Sequence, residues 1–297
     1  MLLVDKPAGP TSRATVDAIV RRFGRRDIGH AGTLDPFATG LLLVLVGRAT
    51  RLVPWTQEWP KRYRAMIRFG EGTDTLDYTG TVTSRGDVPE DLLARLPAAI
   101  AALTGEIRQA PPMVSAAKVG GRRLHELARA GEIVERKERE RVVHAFDIIG
   151  FNSPDLEVDV TCSSGTYVRV LAESLGGALG VPAHLAGLRR TAIGPWPVEQ
   201  ALAPDAIEAL TPPELVARTL IAPGGILVDW PTHEASGTDA IDIGHGRIPG
   251  VWTIDPPRFD RCRIVRDGSL LALVERNDGA FRFLRVFAPA EPGNGLP

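Results

Sequence analysis

Between Gly29 and Gly40 the chain reads Gly-His-Ala-Gly-Thr-Leu-Asp-Pro-Phe-Ala-Thr-Gly, and this run restricts the backbone more than any other. Gly29, Gly32 and Gly40 permit conformations that a Cβ resists, and Pro36 fixes the chain directly after Asp35. A bend this rigid can hold the Asp35 carboxylate in one orientation. An aspartate before proline also commonly bonds its own backbone, so residue types alone leave a connecting turn and a catalytic loop both open.

Around this loop the pattern alternates between strand and helix. Leu2-Leu3-Val4 reads as a short buried strand ended by Lys6-Pro7-Ala8-Gly9-Pro10. Thr11 or Ser12 caps a helix with Val16, Ile19, Val20 and Phe23 on one face, Gly24 as its stop, and Arg13, Arg21 and Arg22 on the other face. Leu41 to Val46 is a buried strand. Tyr63, Ala65, Ile67 and Phe69 alternate with Arg62, Arg64, Met66 and Arg68, which makes a half-buried strand with Tyr63 facing inward. Residues 90–103 look helical but interrupted by Pro97. The strand Leu156 to Thr161 leads into Ser163-Ser164-Gly165-Thr166 and then a helix carrying Val168, Leu171, Ala172, Leu175 and Leu179. Past Pro223-Gly224-Gly225, three strand-like runs are separated by Asp267-Gly268 and Asp278-Gly279, both favoured hairpin turns, and the chain frays from Pro292.

Composition excludes several classes. At 297 residues the chain can bury one sizeable core plus a smaller module. No apolar run reaches membrane-spanning length, and apparent domain structure from Leu2 leaves no room for an export signal, so a cytoplasmic protein is expected. Cys162 and Cys262 lie far apart without metal-ligand spacing. They also lack the signature of an activated nucleophile, as does Ser163. Net charge is only −1, but residues 1–68 carry +7 and residues 118–141 carry +3, leaving −11 for the remainder. That segregation predicts one basic face on an otherwise acidic molecule.

The Gly29–Gly40 run resembles the active-site loop of the TruB family, the tRNA pseudouridine-55 synthases. Further matches follow in family order: Lys-Pro-x-Gly at Lys6, Lys61-Arg62-Tyr63, the Thr73-Asp74-Thr75-Leu76-Asp77 stretch, Gly165-Thr166-Tyr167-Val168-Arg169, and Leu188-Arg189-Arg190-Thr191. The resemblance covers roughly residues 2 to 200. It implies an α+β fold, with a mixed, mostly antiparallel central sheet flanked by helices in residues 1–222 and a small PUA-like β domain in 223–297. It also implies a thumb insertion at about 108–141 that closes on RNA. Asp35 is then the essential carboxylate, Arg169 its partner and Tyr63 a phenol against the base. His30, Tyr167, Asp77, Leu188 and Lys6 are placed at the substrate, with Lys118, Arg122 and Arg123 on phosphates. Arg13, Arg21, Arg22, Arg25 and Arg26 are further phosphate candidates.

The implied reaction is isomerisation of a uridine flipped out of the T-stem loop of tRNA, with no cofactor, no metal, no guide RNA and no membrane, by a monomer. Two rivals remain at this level. One is a non-catalytic tRNA-binding or tRNA-folding chaperone on the same scaffold. The other is a glycosidase, which needs two carboxylates flanking a bond and would recruit Asp77 as the second.

Overall fold

The structure is a computed structural model that describes residues 1–24, 26–254 and 258–287. Arg25 and the expected fraying from Pro292 lie outside the described residues. A nine-stranded mixed sheet forms the body. Its main path runs Leu2–Lys6, Thr39–Val46, Ala183–Ile193, Lys61–Phe69, Asp155–Cys162, Arg139–Asn152 and Gly105–Gln109. Every pairing along this path is antiparallel except one, the short parallel contact of Arg189 and Arg190 with Thr39 and Gly40.

That parallel contact brings the glycine-rich loop to the middle of the sheet, and it depends on Gly40. The residue adopts φ +101°, and a Cβ there would lie 2.3 Å from the Arg190 carbonyl oxygen. Only a glycine allows the two backbones to approach so closely.

The strand Lys61–Phe69 carries out its alternation as expected. Tyr63, Ala65, Ile67 and Phe69 are buried in a core that includes Val168, Leu171, Leu175 and Leu179 from the helix Val168–Leu179. Each such aliphatic burial contributes about 1.5–3 kcal/mol. On the outer face Arg62, Arg64 and Arg68 meet Asp159, Glu157 and Asp155 of the neighbouring strand. The arginines of these pairs are exposed even where, at Asp159, the acid is buried, so the pairs set register more than stability.

One of two helix expectations comes out as read and the other does not. Of the two candidate caps, Thr11 is the N-cap of the helix Ser12–Phe23, accepting a bond from Ala14 N at 3.0 Å, and Gly24 ends it in the left-handed region. The helix Leu92–Ala102 runs through Pro97 without interruption. Pro97 lies on the solvent side, while Leu92, Leu96 and Ile100 anchor the opposite face in the core. Packing of that stripe outweighs one missing hydrogen bond.

A four-stranded sheet forms the C-terminal β module, which fits a PUA-like domain. Arg261–Arg266, Ser269–Asn277 and Ala280–Val286 are joined by the two Asp-Gly turns, where Asp267, Gly268, Asp278 and Gly279 all have positive φ. A fourth strand, Thr232–Glu234, adds in parallel. Ile226, Leu227, Trp230, Val265 and Leu273 share one hydrophobic cluster with Leu41, Leu43, Leu45 and Trp59 of the main sheet.

Candidate active site

The loop that holds Asp35 is braced from two sides by buried groups. From the front, the Lys6 ammonium is completely enclosed and donates to the carbonyls of Pro7, Pro10 and Pro36 at 2.8, 2.9 and 3.2 Å. Ser12 Oγ both donates to Leu34 O and accepts from Leu34 N, and Gly9 N donates to Pro36 O. From behind, the fully buried Arg190 donates to the carbonyls of Leu41, Gly32 and Thr33 at 2.7, 3.2 and 3.4 Å. Lys6 therefore positions the loop rather than meeting substrate, a correction to its expected place. Burial pulls its ammonium down to about 8, with Asp35 opposing that shift.

Asp35 sits at the floor of a groove, its side chain about one third exposed. Arg169, enclosed at the first turn of the helix Val168–Leu179, donates from Nε to Asp35 Oδ2 at 2.9 Å and from Nη2 to Oδ1 at 3.2 Å. This two-pronged contact uses both carboxyl oxygens as acceptors, which is the geometry of the ionised acid. Burial pushes the Asp35 carboxyl up, and Asp77 adds to it, while the Arg169 guanidinium pulls in the opposite direction.

The remaining Arg169 donors reach Thr75 O at 2.8 Å and Val114 O at 2.9 Å. One guanidinium thus joins the Asp35 loop, the Thr75 turn and the root of the thumb. Asp77 lies 3.6 Å from Arg169 Nη1 and is buried. Its carboxylate also caps its own turn, accepting from Thr75 Oγ1 and Thr79 N at 3.0 Å. Two acids on one guanidinium, one of them sealed behind it, cannot flank a glycosidic bond.

The groove has a volume of about 360 Å³, lined by Asp35, Tyr63, Tyr167, Leu188, Arg169 and Ser115 among others. Tyr63 is in register with Arg190, and burial pushes its phenol up against the opposing charge of Arg190. Tyr167 closes the opposite wall, its backbone held by both ends of the Gln109 amide.

Comparison with known proteins agrees with this geometry. The family model described as TruB family pseudouridylate synthase (N terminal domain) matches residues 20–168. A protein of Thermobifida fusca called tRNA pseudouridine synthase B is 44% identical over 97% of this chain and 98% of its own length. The chain belongs to the TruB family. A second relative, from an Arthrobacter strain and bearing the same name, is 39% identical over 99% of this chain and 98% of its own. Among solved structures, a Cbf5-Nop10-Gar1 complex superposes with a TM-score of 0.67 at 26% identity, over 93% of this chain and 77% of that one. The protein is therefore an isomerase of the pseudouridine synthase class.

Within this TruB-family chain, other expected site residues are more dispersed. His30, on the strand Ile28–Ala31, is half-buried beside the loop but is not among the residues lining the groove. Its Nδ1 is enclosed and has no partner among the described residues. Burial, then the charge of Arg190, lowers its pKa. Lys118, Arg122 and Arg123 lie exposed on a two-stranded ribbon of the thumb, and Arg122 faces Glu132 at 3.0 Å. The thumb occupies a shorter span than expected, because the sheet continues to Gln109 and resumes at Arg139. Its short helix Leu124–Arg129 is tied to the root by His125, whose N and Nδ1 both bond Ser115 O. Arg22 donates to Leu210 O and is not a free cation, whereas Arg13 sits in an exposed pair with Asp17.

Sequence reasoning passed over Arg190, Lys61 and Gln109, all buried. Lys61 Nζ donates to the carbonyls of Gln57 and Trp59. The only hints were that Lys61 and Arg190 each stand within a family motif. Nothing local marks Arg190 as a buried cation whose acceptors are backbone carbonyls from distant segments.

Proposed function

We propose that this protein isomerises uridine-55 in the T loop of tRNA to pseudouridine, without a guide RNA, in the cytoplasm. The observation that carries this reading is the Asp35 carboxylate held by Arg169 at the floor of a groove walled by Tyr63, Tyr167 and Leu188. In the reaction the bond from ribose C1′ to uracil N1 breaks, a bond from C1′ to C5 forms, the proton on C5 leaves and N1 gains one. Atoms balance without a redox partner. Asp35 supplies the carboxylate at the nucleoside, Arg169 keeps it ionised and aimed, and the two tyrosines confine the detached base until it rejoins through carbon.

The tRNA assignment draws on the relatives' shared name, and the stand-alone reading on the thumb, whose root at Ser115, Ala116 and Ala117 lines the groove from the chain itself. His30 fills space near the flipped nucleotide, and the exposed cations of the thumb take phosphates. Residues 1–222 act as the catalytic unit and 223–297 as the PUA-like one. Intact Asp35 and Arg169 favour this reading over a purely binding chaperone.

The test uses purified protein alone with tRNA carrying uridine tritiated at C5. One tritium released per tRNA, and none from a transcript with cytidine at position 55, is the expected result. Binding without release would leave only the chaperone reading.

A further inference from the structure

Two arginines at the root of the thumb differ from the others around the groove. Arg139 and Arg141 open the strand Arg139–Asn152, in register with Gln109 and Ile107. Being two residues apart, they leave one face of the strand about 6.8 Å from each other. Both line the main groove, and both line a narrow cleft that opens beside it against Ala117, Gly165 and Tyr167.

Of the other arginines that line the main groove, Arg190 is spent on the backbone carbonyls of Leu41, Gly32 and Thr33, and Arg169 holds a carboxylate. Among the described residues, Arg139 and Arg141 hold none; the Arg141 guanidinium bonds only the carbonyl of Glu140, at 2.7 Å. Space has been left for it. Gly165 adopts φ +80°, and a Cβ there would come within 3.0 Å of Arg141 Nη2. The turn that contains Gly165 is fixed to the same strand, since Ser163 N donates to Val142 O at 2.8 Å and Val142 N donates to Ser163 Oγ at 2.9 Å. Two like charges are thus held side by side on a rigid ladder, next to the aromatic wall, with no counter-charge from the protein. An external anion of matching spacing relieves that repulsion.

We propose that Arg139 and Arg141 grip the two phosphates flanking the extruded nucleoside, while Tyr167 meets its base. The ligand is a pair of successive phosphodiesters of unpaired RNA, and the inference rests on the uridine-flipping reading above. Fixing the backbone on both sides of one nucleotide holds it out of its stack without any base-specific contact.

The experiment measures binding of T-stem-loop RNAs that carry one uncharged methylphosphonate, either 5′ or 3′ of the target uridine or far down the stem. Wild type is expected to lose about tenfold in affinity at each flanking position, the loss typical of one charge-assisted hydrogen bond. Arg139→Gln and Arg141→Gln should each be insensitive to neutralisation of one flanking phosphate while keeping the wild-type response in the stem. The slope of log affinity against log salt should shrink by about 0.7 per variant. Arg141→Lys retains the charge and should keep the penalty. If both glutamine variants retain the full wild-type penalty at both flanking sites, the proposal is wrong. Failure of the underlying function is separately visible, because wild type would then release no tritium from the unmodified RNA.

Discussion

The floor of the groove and the thumb whose root lines it are both rich in cations, yet they use them in opposite ways. At the floor, Lys6, Lys61, Arg169 and Arg190 are buried, and most of their donors end on backbone carbonyls. In the thumb, Lys118, Arg122 and Arg123 are exposed, and Arg122 faces only a surface glutamate. A buried cation satisfied by carbonyls cannot be offered to a ligand without leaving those groups unpaired, so it fixes geometry. An exposed cation in water costs little to re-pair, so it can exchange glutamate for phosphate. The difference separates the charges that build the site from the charges that remain available to a ligand. Arg169 joins the two regions, since it holds both Asp35 and the carbonyl of Val114.

The comparison breaks most readily at Arg169. Arg169→Gln leaves Asp77 buried and Asp35 partly buried without their cation, and stability should fall by about 3 kcal/mol, the low end for a broken buried pair because Asp35 is partly open to water. Turnover should drop by at least roughly 10²–10³-fold. Urea unfolding and single-turnover rates check the two effects separately; a variant that unfolds like wild type would show that the guanidinium is not the joint described.

Gly40→Ala tests the back wall. The left-handed φ and the collision with Arg190 O should together cost roughly 2–4 kcal/mol, read as a lower urea midpoint with an unchanged slope.

The pH profile tests the balance of forces on Asp35. The proposed reaction needs the carboxylate, which is lost as pH falls through its pKa, and burial has raised that pKa. The acid limb of kcat/KM should therefore lie above the ordinary carboxylate range. Arg169→Lys, which keeps a charge but loses the two-pronged contact, should move the limb higher still. A limb at the ordinary range in both proteins would mean that solvent, not burial, governs the acid.

The smallest effect belongs to the thumb. Arg122→Ala should change stability by less than about 0.5 kcal/mol, raise KM about threefold through one lost phosphate contact, and leave kcat alone. A larger change in kcat than in KM would place Arg122 with the building charges instead.

Much of this arrangement is legible in the chain itself where the information is local. Alternation around Tyr63 fixes which face of its strand is inside, and the two Asp-Gly pairs fix the C-terminal hairpins, because a period of two and a positive φ each depend on few residues. The pairing of Asp35 with Arg169 entered through family resemblance, since 134 positions separate them. Where the outcome depends on what a residue meets in space, local pattern fails. Pro97 signals a break that packing overrides, and Lys6 reads as a substrate contact through its family motif until three carbonyls are found around it. Arg139 and Arg141 read as part of a charged insertion until strand pairing with Gln109 and Ile107 places them at the groove.

The central claim is that one carboxylate carries the chemistry while other charges carry the RNA. Asp35→Asn, assayed in a single turnover on T-stem-loop RNA labelled at C5, tests it most directly. The account predicts no tritium release with RNA affinity within about threefold of wild type, since a phosphate-dominated interface does not need that acid. Release at a rate comparable to wild type would contradict it.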